Sequence, residues 1–365
     1  MTDLISFMTL LESYGITDEI RSALADPAKD CAEPARIITG DRSGYRVVSD
    51  KEELSAQIAG RFRFKTEDAL DLPVTGDWVA VITDNDQAII HELYPRRTSL
   101  TRKSAGKGSG QQVLAANVDT VFIVQSLDRD FNPRRLERYL VMAYDGGVEP
   151  VVLLSKQDLY TDDEVQSRVA VAEVTAMGIP VLPYSALDSS GVDVIHSLVS
   201  PGKTFCLVGS SGVGKSTLIN RLLGESRLDT QEVREKDSRG RHTTARRELI
   251  LLDGGGILID TPGMRELGVT ADQSSLEAAF PEIKDLAKGC RYRDCRHEEE
   301  PGCAVQEAVQ SGDLAEDRYA SYLKLAREMV FHATQADELS RLQHKRAQKV
   351  FYKRLRQFQQ RKSKF

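Results

Sequence analysis

The chain changes its hydrophobic rhythm several times, and each change marks a different kind of structure. Within "MTDLISFMTLLESYG", Leu4, Met8 and Leu11 recur at helical spacing, and the segment closes in the polar "ADPAKDCAEPA". Short helices are expected over residues 1–34, as an N-terminal extension. From Ala35 to about Arg102 the apolar runs shorten to "ARIITG", "GYRVVS", "AQIAGRFRF", "DWVAVIT" and "AIIHELY", separated by Gly, Asp and Asn turns. Five short strands of this kind predict a small β-barrel over residues 35–102. In its third run Arg61, Arg63 and Lys65 alternate with Phe62 and Phe64, so a strand there would carry one cationic face, with the phenylalanines turned to the core. "TRKSAGKGSGQQ" keeps no apolar period, and residues 103–117 read as a linker.

From Val118 the pattern becomes strand, helix, strand: "DTVFIVQSL", "NPRRLERYLVMAYDGG", "EPVVLLSKQD", "DDEVQSRVAVAEVTAMG", "IPVLPYSA", "GVDVIHSLV", "KTFCLVGSS" and "KSTLINRLLG". Continuous apolar strands between amphipathic helices predict a parallel sheet covered on both faces. "RRELILLD" and "GILID" flank "GGG" as a hairpin would, and residues 314–365 are charged and helical in pattern. No internal repeat or low-complexity tract breaks this order.

A chain of 365 residues exceeds one small core and implies two or three domains. The formal net charge is -6, yet Arg341 to Phe365 holds ten Lys/Arg and no Asp/Glu, so a basic tail follows an acidic body. Three of the five cysteines fall between Cys290 and Cys303, a spacing that suits metal ligation in a reducing compartment better than a disulfide framework. The N-terminus lacks a basic leader and a cleavage site, and no apolar run is long enough to span a bilayer. A soluble, cytoplasmic protein with no membrane partner is expected.

"GSSGVGKS" satisfies G-x-x-x-x-G-K-[ST] between the strand "TFCLV" and the helix "STLINRLL", the context that motif requires. Gly209, Ser210, Ser211, Gly212, Val213, Gly214, Lys215, Ser216 and Thr217 are the expected cradle. Their backbone N–H groups face phosphate oxygens, Lys215 neutralises β/γ charge, and the Ser216 hydroxyl holds Mg²⁺. "LIDTPG" places Asp260 at a strand end to meet Mg²⁺ through water and Gly263 to sense a γ-phosphate. "SRGRHTTARREL" between them reads as a switch loop whose Thr243 or Thr244 closes on the metal, or as a solvated basic loop.

The base reader stands earlier in the chain than usual. In "SKQD", Asp158 can accept from the guanine N1–H and amino group, a donor pair that adenine lacks, and Lys156 can lie along the base. Ser155 and Gln157 complete the loop. In "YSAL" the next strand ends at Ser185 and Ala186, whose N–H can reach the guanine O6. All these elements fall at the carboxyl ends of strands, where an open α/β sheet binds its ligand.

In this order "SKQD", "SAL", "GSSGVGKST", "RHTT" and "DTPG" resemble the circularly permuted GTPases of bacterial ribosome assembly, the RsgA (YjeQ/YloQ) family. The similarity extends to "QVLAANVDTVFIV" and "GCRYRDCRHEEEPGCAV". It implies a multidomain fold: an OB-type β-barrel, an α/β circularly permuted P-loop GTPase over 118–272 in the motif order G4-G5-G1-G2-G3, and a zinc-binding helical C-terminal domain over 273–365. It further implies hydrolysis of GTP, stimulated by the small (30S) ribosomal subunit during late maturation. The usual N-K-x-D carries Asn where this chain has Ser155, and a shorter side chain predicts a weaker tie to the neighbouring backbone. Met264 follows Gly263 where signalling GTPases place a water-orienting glutamine. The resemblance points to His242 as the catalytic group instead, with an RNA contact as its other reading. Met264 also keeps open a second function, a GTP-switched rRNA-binding module with incidental hydrolysis.

Cys290, Cys295, His297 and Cys303 supply three thiolates and an imidazole within fourteen residues. Such a set fills a tetrahedral Zn²⁺ shell and leaves no open position, so a structural role follows. In the tail, Phe351, Leu355 and Phe358 share one helical face amid Lys/Arg, which suits rRNA phosphates. The barrel's Arg61, Arg63 and Lys65 suit the same partner, and a monomer is expected.

Overall fold

The computed structural model describes residues 9–24, 32–41, 44–66, 68–84, 87–103, 111–128, 130–224, 247–260 and 271–334. Two short helices come first, α1 (Leu10–Ser13) and α2 (Asp18–Leu24). Thr9 and Glu12 cap α1 reciprocally, and Leu11, Ile20 and Leu24 are buried. The extension is thus packed into the body of the protein.

Strands β1 (Glu33–Asp41), β2 (Gly44–Val48), β3 (Glu53–Ile58), β4 (Trp78–Asp84) and β5 (Gln87–Leu93) close into a barrel of order β1-β2-β3-β5-β4. Alternation decides its interior: Leu54 and Ala56 of β3 and Ala88 and Ile90 of β5 meet Ile37, Val47, Val79 and Val81 inside. The arginine-phenylalanine run is a helix, α3 (Gly60–Lys65), between β3 and β4, in place of the strand expected there. A 3.6-residue period cannot hold Phe62 and Phe64 on one face, and Phe64 is 91% exposed.

The expected linker is also partly ordered. β6 (Ser99–Lys103) pairs antiparallel with β7 (Gln111–Ala116), whose Val113, Leu114, Ala115 and Ala116 are buried. Glycine and lysine at one end of residues 103–117 masked an apolar strand at the other.

The six-stranded sheet has the order β10-β9-β8-β11-β13-β12. Its members are β8 (Thr120–Ser126), β9 (Glu149–Ser155), β10 (Val181–Pro183), β11 (Thr204–Val208), β12 (Glu248–Leu251) and β13 (Ile257–Asp260). All neighbours pair in parallel except the hairpin β12–β13. Val121 and Ile123 face one layer, with Leu136 and Leu140 of α4 (Pro133–Asp145) and Val165 and Val169 of α5 (Asp162–Ala176). Phe122 and Val124 face the other, with Ile195 of α6 (Val192–Leu198) and Leu218 of α7 (Lys215–Leu223). Both faces are covered, which is why the strands read as unbroken apolar runs.

One buried cation joins the extension, the barrel and the sheet. The Arg36 guanidinium, 2% exposed, donates to the carbonyls of Tyr14, Gly76 and Asn117 and to Thr204 Oγ1, and it lies 5.0 Å from the Trp78 ring centroid. After the sheet come α8 (Gln273–Ala279), α9 (Pro281–Ala287), α10 (Ala304–Ser311) and a helix over residues 316–334, α11. Fully buried Glu137 of α4 anchors α11 through Arg318 at 2.9 Å and through Ser321, while Arg138 pairs with Glu328 at 2.6 Å.

Candidate nucleotide site and metal centre

Residues 209–214 turn from β11 into α7 and point the first N–H groups of that helix at a common space. Two glycines are required by the backbone. A Cβ on Gly209 would stand 2.2 Å from the Val124 carbonyl oxygen, and Gly214 opens α7 at φ 94°. Ser210 and Ser211 lie in the turn, Val213 is buried beneath it, and Ser216 and Thr217 occupy the first turn of α7. Lys215 Nζ donates to the Gly209 carbonyl at 2.7 Å and to that of Ser210, so the ammonium closes over the cradle where phosphate oxygens would take its protons.

The base-side loop begins at the last residue of β9. Ser155, 2% exposed, donates to the Val213 carbonyl at 2.6 Å, with Gln125 O at 3.3 Å. The short side chain therefore does tie the base loop to the phosphate loop. Lys156 adopts φ 66°, and its Nζ meets Asp128 Oδ2 at 2.7 Å. Burial would raise the Asp128 carboxyl, but Lys156, the Ser126 hydroxyl and the Asp130 N–H together hold it at about 2. Gln157 and exposed Asp158 follow in a single 3₁₀ turn, with Gln157 Nε2 bonded to Ser190 Oγ at 2.6 Å. Asp158 thus stands at the open rim.

Beyond β10, buried Ser185 accepts from the Leu187 N–H at 3.1 Å, which shapes the loop that carries Ala186. Arg221 of α7 donates to the carbonyls of Ala186 at 2.8 Å and Leu187 at 2.9 Å. Asp260 ends β13. Every described member of the expected site sits at the carboxyl end of a parallel strand, in one sheet. His242, Thr243, Thr244 and Gly263, with Met264 and the basic tail, lie outside the described residues.

Three further residues were missed in the sequence. Asp128 was findable, because it follows the end of β8 and so obeys the same strand-end rule. Arg221 is an ordinary solvent-facing helix residue by pattern. Arg135 of α4 donates to Ser210 Oγ in the cradle and to Asp130 Oδ1 at 2.9 Å, a contact across 75 positions that no local pattern shows.

The second cluster is Cys290, Cys295, His297 and Cys303, whose donor atoms all lie within 4.8 Å of one another. His297 Nδ1 is 3.6 Å from Cys290 Sγ and 3.4 Å from Cys303 Sγ, and those two sulfurs are 3.9 Å apart. A tetrahedron with metal–sulfur arms of about 2.3 Å and metal–nitrogen arms of about 2.0–2.1 Å has edges of about 3.8 and 3.6 Å. The cluster could hold a metal ion with no ligand moving far. Its second layer is in place: Tyr319 Oη and Gln306 Nε2 both donate to the His297 carbonyl.

A sheet that takes its base-side loops from early strands and its phosphate loop from a later one is the sheet of a circularly permuted P-loop GTPase. A family model described as "RsgA GTPase" matches residues 93–270. "Small ribosomal subunit biogenesis GTPase RsgA" of Opitutus terrae is 42% identical over 355 residues, covering 93% of this chain and 96% of that one. "Small ribosomal subunit biogenesis GTPase RsgA 2" of Lactiplantibacillus plantarum is 43% identical over 90% of this chain and 92% of its own. Among solved structures, YjeQ from Thermotoga maritima aligns with a TM-score of 0.63 at 27% identity, over 82% of this chain and 99% of that one. The chain belongs to the RsgA family and is a GTP-hydrolysing enzyme.

Proposed function

We propose that this GTPase acts on the small ribosomal subunit in late maturation and hydrolyses GTP with stimulation by that subunit. The observation that carries this reading is the 42% identity spread over 93% of the chain with a relative so named. The barrel, the permuted GTPase and the metal cluster are taken as the three parts of one subunit-binding body, with the divisions expected from the sequence. Lys215 and the N–H groups of the cradle hold the phosphates, Ser216 and Asp260 serve Mg²⁺, and Asp158 reads guanine beside Lys156 and Ala186. The Cys₃His cluster takes Zn²⁺, since soft thiolates with one imidazole select it and a closed shell makes it structural. The partner is the 30S subunit through its rRNA, and the protein works as a cytoplasmic monomer. No helix among the described residues is long and apolar enough to cross a membrane.

Co-sedimentation with small subunits tests the reading. Binding in a non-hydrolysable GTP analogue and release in GDP are expected, with faster multiple turnover when subunits are present. Equal binding in both nucleotides, or turnover that subunits leave unchanged, would refute it. The latter result with nucleotide-dependent binding would favour the RNA-binding switch in which hydrolysis is incidental.

A further inference from the structure

Tyr184 immediately precedes the Ser185–Ala186 loop and is fully buried. Its backbone brackets the base loop: its N–H donates to Leu154 O at 2.8 Å, and its carbonyl accepts from Gln157 N at 3.3 Å. Its ring belongs to the same apolar cluster as Val213 of the phosphate cradle. One residue thus joins the base loop to the Ser185–Ala186 loop and shares an apolar cluster with the phosphate cradle.

The hydroxyl of this residue is out of place in an apolar cluster. Tyr184 Oη finds no hydrogen-bond partner among the described residues. Burial pushes the phenol well above its ordinary range, and the Ser155 hydroxyl, close enough to oppose this but short of a hydrogen bond of ordinary geometry, is its polar neighbour. Ser155 is the complementary case. Its single proton goes to Val213 O, with Gln125 O a longer alternative, so its buried oxygen keeps lone pairs with which to accept from a neighbouring O–H. A donor without an acceptor beside an acceptor without a donor is costly in a dry site, and a small shift of the loop repairs both.

We propose that Tyr184 is a positioning residue for guanine-nucleotide binding. When nucleotide seats, its hydroxyl donates to Ser155 Oγ, and the chain Tyr184–Ser155–Val213 does the work of the longer amide that N-K-x-D carries at position 155. An amide has two protons to give and reaches one bond further, whereas serine has one. Tyrosine supplies the second proton from the neighbouring strand. This rests on the assignment of Ser155–Asp158 as the guanine loop.

Fluorescent-GDP titration of the full-length protein tests it. Tyr184→Phe removes one oxygen and is expected to weaken GDP about three- to tenfold, the range of one hydrogen bond. Its nucleotide-free Tm should not fall, because the lost hydroxyl had no partner there. Ser155→Ala should weaken GDP at least as much, and the double variant no further than Ser155→Ala alone. Ser155→Asn in the Tyr184→Phe background should restore binding. Wild-type affinity in Tyr184→Phe, or losses that multiply in the double variant, would overturn the role of Tyr184. Asp158→Asn separates the two layers: if it still prefers guanine to adenine, the loop assignment fails. If it loses that preference while Tyr184→Phe binds normally, only the Tyr184 inference fails.

Discussion

Replacing Arg36 puts the joint between extension, barrel and GTPase sheet to a quantitative test. Burial lowers this guanidinium from 12.5 to about 10, with nearby Asp119 and Asp77 offsetting part of the loss. That drop corresponds to roughly 3 kcal/mol against the charged form. Arg36→Met removes that penalty but strands acceptors. The Gly76 carbonyl keeps Asn117 Nδ2 at 3.1 Å, and the Thr204 hydroxyl can turn, so the carbonyls of Tyr14 and Asn117 are the ones left bare. Two bare buried carbonyls cost about 2–6 kcal/mol, and the lost contact with Trp78 adds about 1. The expected net loss is about 0–4 kcal/mol.

Arg36→Lys should be worse, although it keeps the charge. Neutralising an amine of ordinary pKa about 10.4 at pH 7 costs about 4–5 kcal/mol, and the neutral form has fewer protons for the same carbonyls. Trp78 is the only tryptophan in the chain and lies against the substituted position, so its emission during urea unfolding reads the joint directly. In the Arg36→Lys protein the amine's folded pKa lies below its unfolded value, so the unfolded chain binds more protons and stability rises with pH through that window. Its deficit against Arg36→Met should therefore shrink from pH 7 to pH 9. An Arg36→Lys protein as stable as the parent, or more stable than Arg36→Met at pH 7, would refute the reasoning.

Other substitutions address the site itself. Lys215→Ala should slow phosphate release by at least about 100-fold, the size of losing one preorganised cation at the transferring phosphate, with an unchanged far-UV spectrum. Arg221→Ala frees the carbonyls of Ala186 and Leu187 and should speed GDP dissociation about three- to tenfold in a stopped-flow chase. Cys303→Ser, or treatment with a strong chelator, should remove the bound metal by elemental analysis and lower the Tm, because Cys303 is buried at the head of α10. Retention of metal by Cys303→Ser would contradict the ligand set.

Local pattern carried the reading wherever chemistry and backbone agree over a few residues. The cradle needs its glycines at Gly209 and Gly214 for steric reasons visible as a motif, and the cysteine cluster needs its four donors within fourteen positions. The strands of the parallel sheet were legible because burial on both faces leaves no polar position to confuse the run. Legibility failed where two periods compete. "GRFRFK" alternates like a strand, yet it follows β3 at the turn out of the barrel sheet and folds as α3, with Phe64 in solvent. It failed again for long-range polar contacts. Arg318 reads as one more cation on a charged helix, whereas it is 11% exposed, paired with Glu137 across 181 positions and stacked 4.1 Å from the Phe280 ring centroid.

Those contacts give the permutation a mechanical consequence. β13 is the last strand among the described residues; the next described helix, α8, packs on α4, and α11 then returns to the same helix. Successive positions on a helix are about 100° apart, so Arg135 and Glu137 project about 200° from each other on α4. The first reaches into the phosphate cradle at Ser210; the second holds Arg318 and Ser321 of α11. Asn132 caps α4 at both the Arg134 and Arg135 N–H groups, which keeps its first turn from fraying. A displacement of residues 316–334 must then either break the bonds to a fully buried carboxylate or carry α4 with it. Breaking them leaves the buried Glu137 carboxylate with only the half-exposed Arg134 of its own helix, at 2.6 Å, as an ionic partner, a net cost because the Arg318 and Ser321 bonds are not replaced. Movement of α4 as a unit would carry Arg135 with it at the edge of the cradle. This route from the C-terminal helix to the phosphate site runs entirely through described side chains and is separate from the chain segment that follows Asp260.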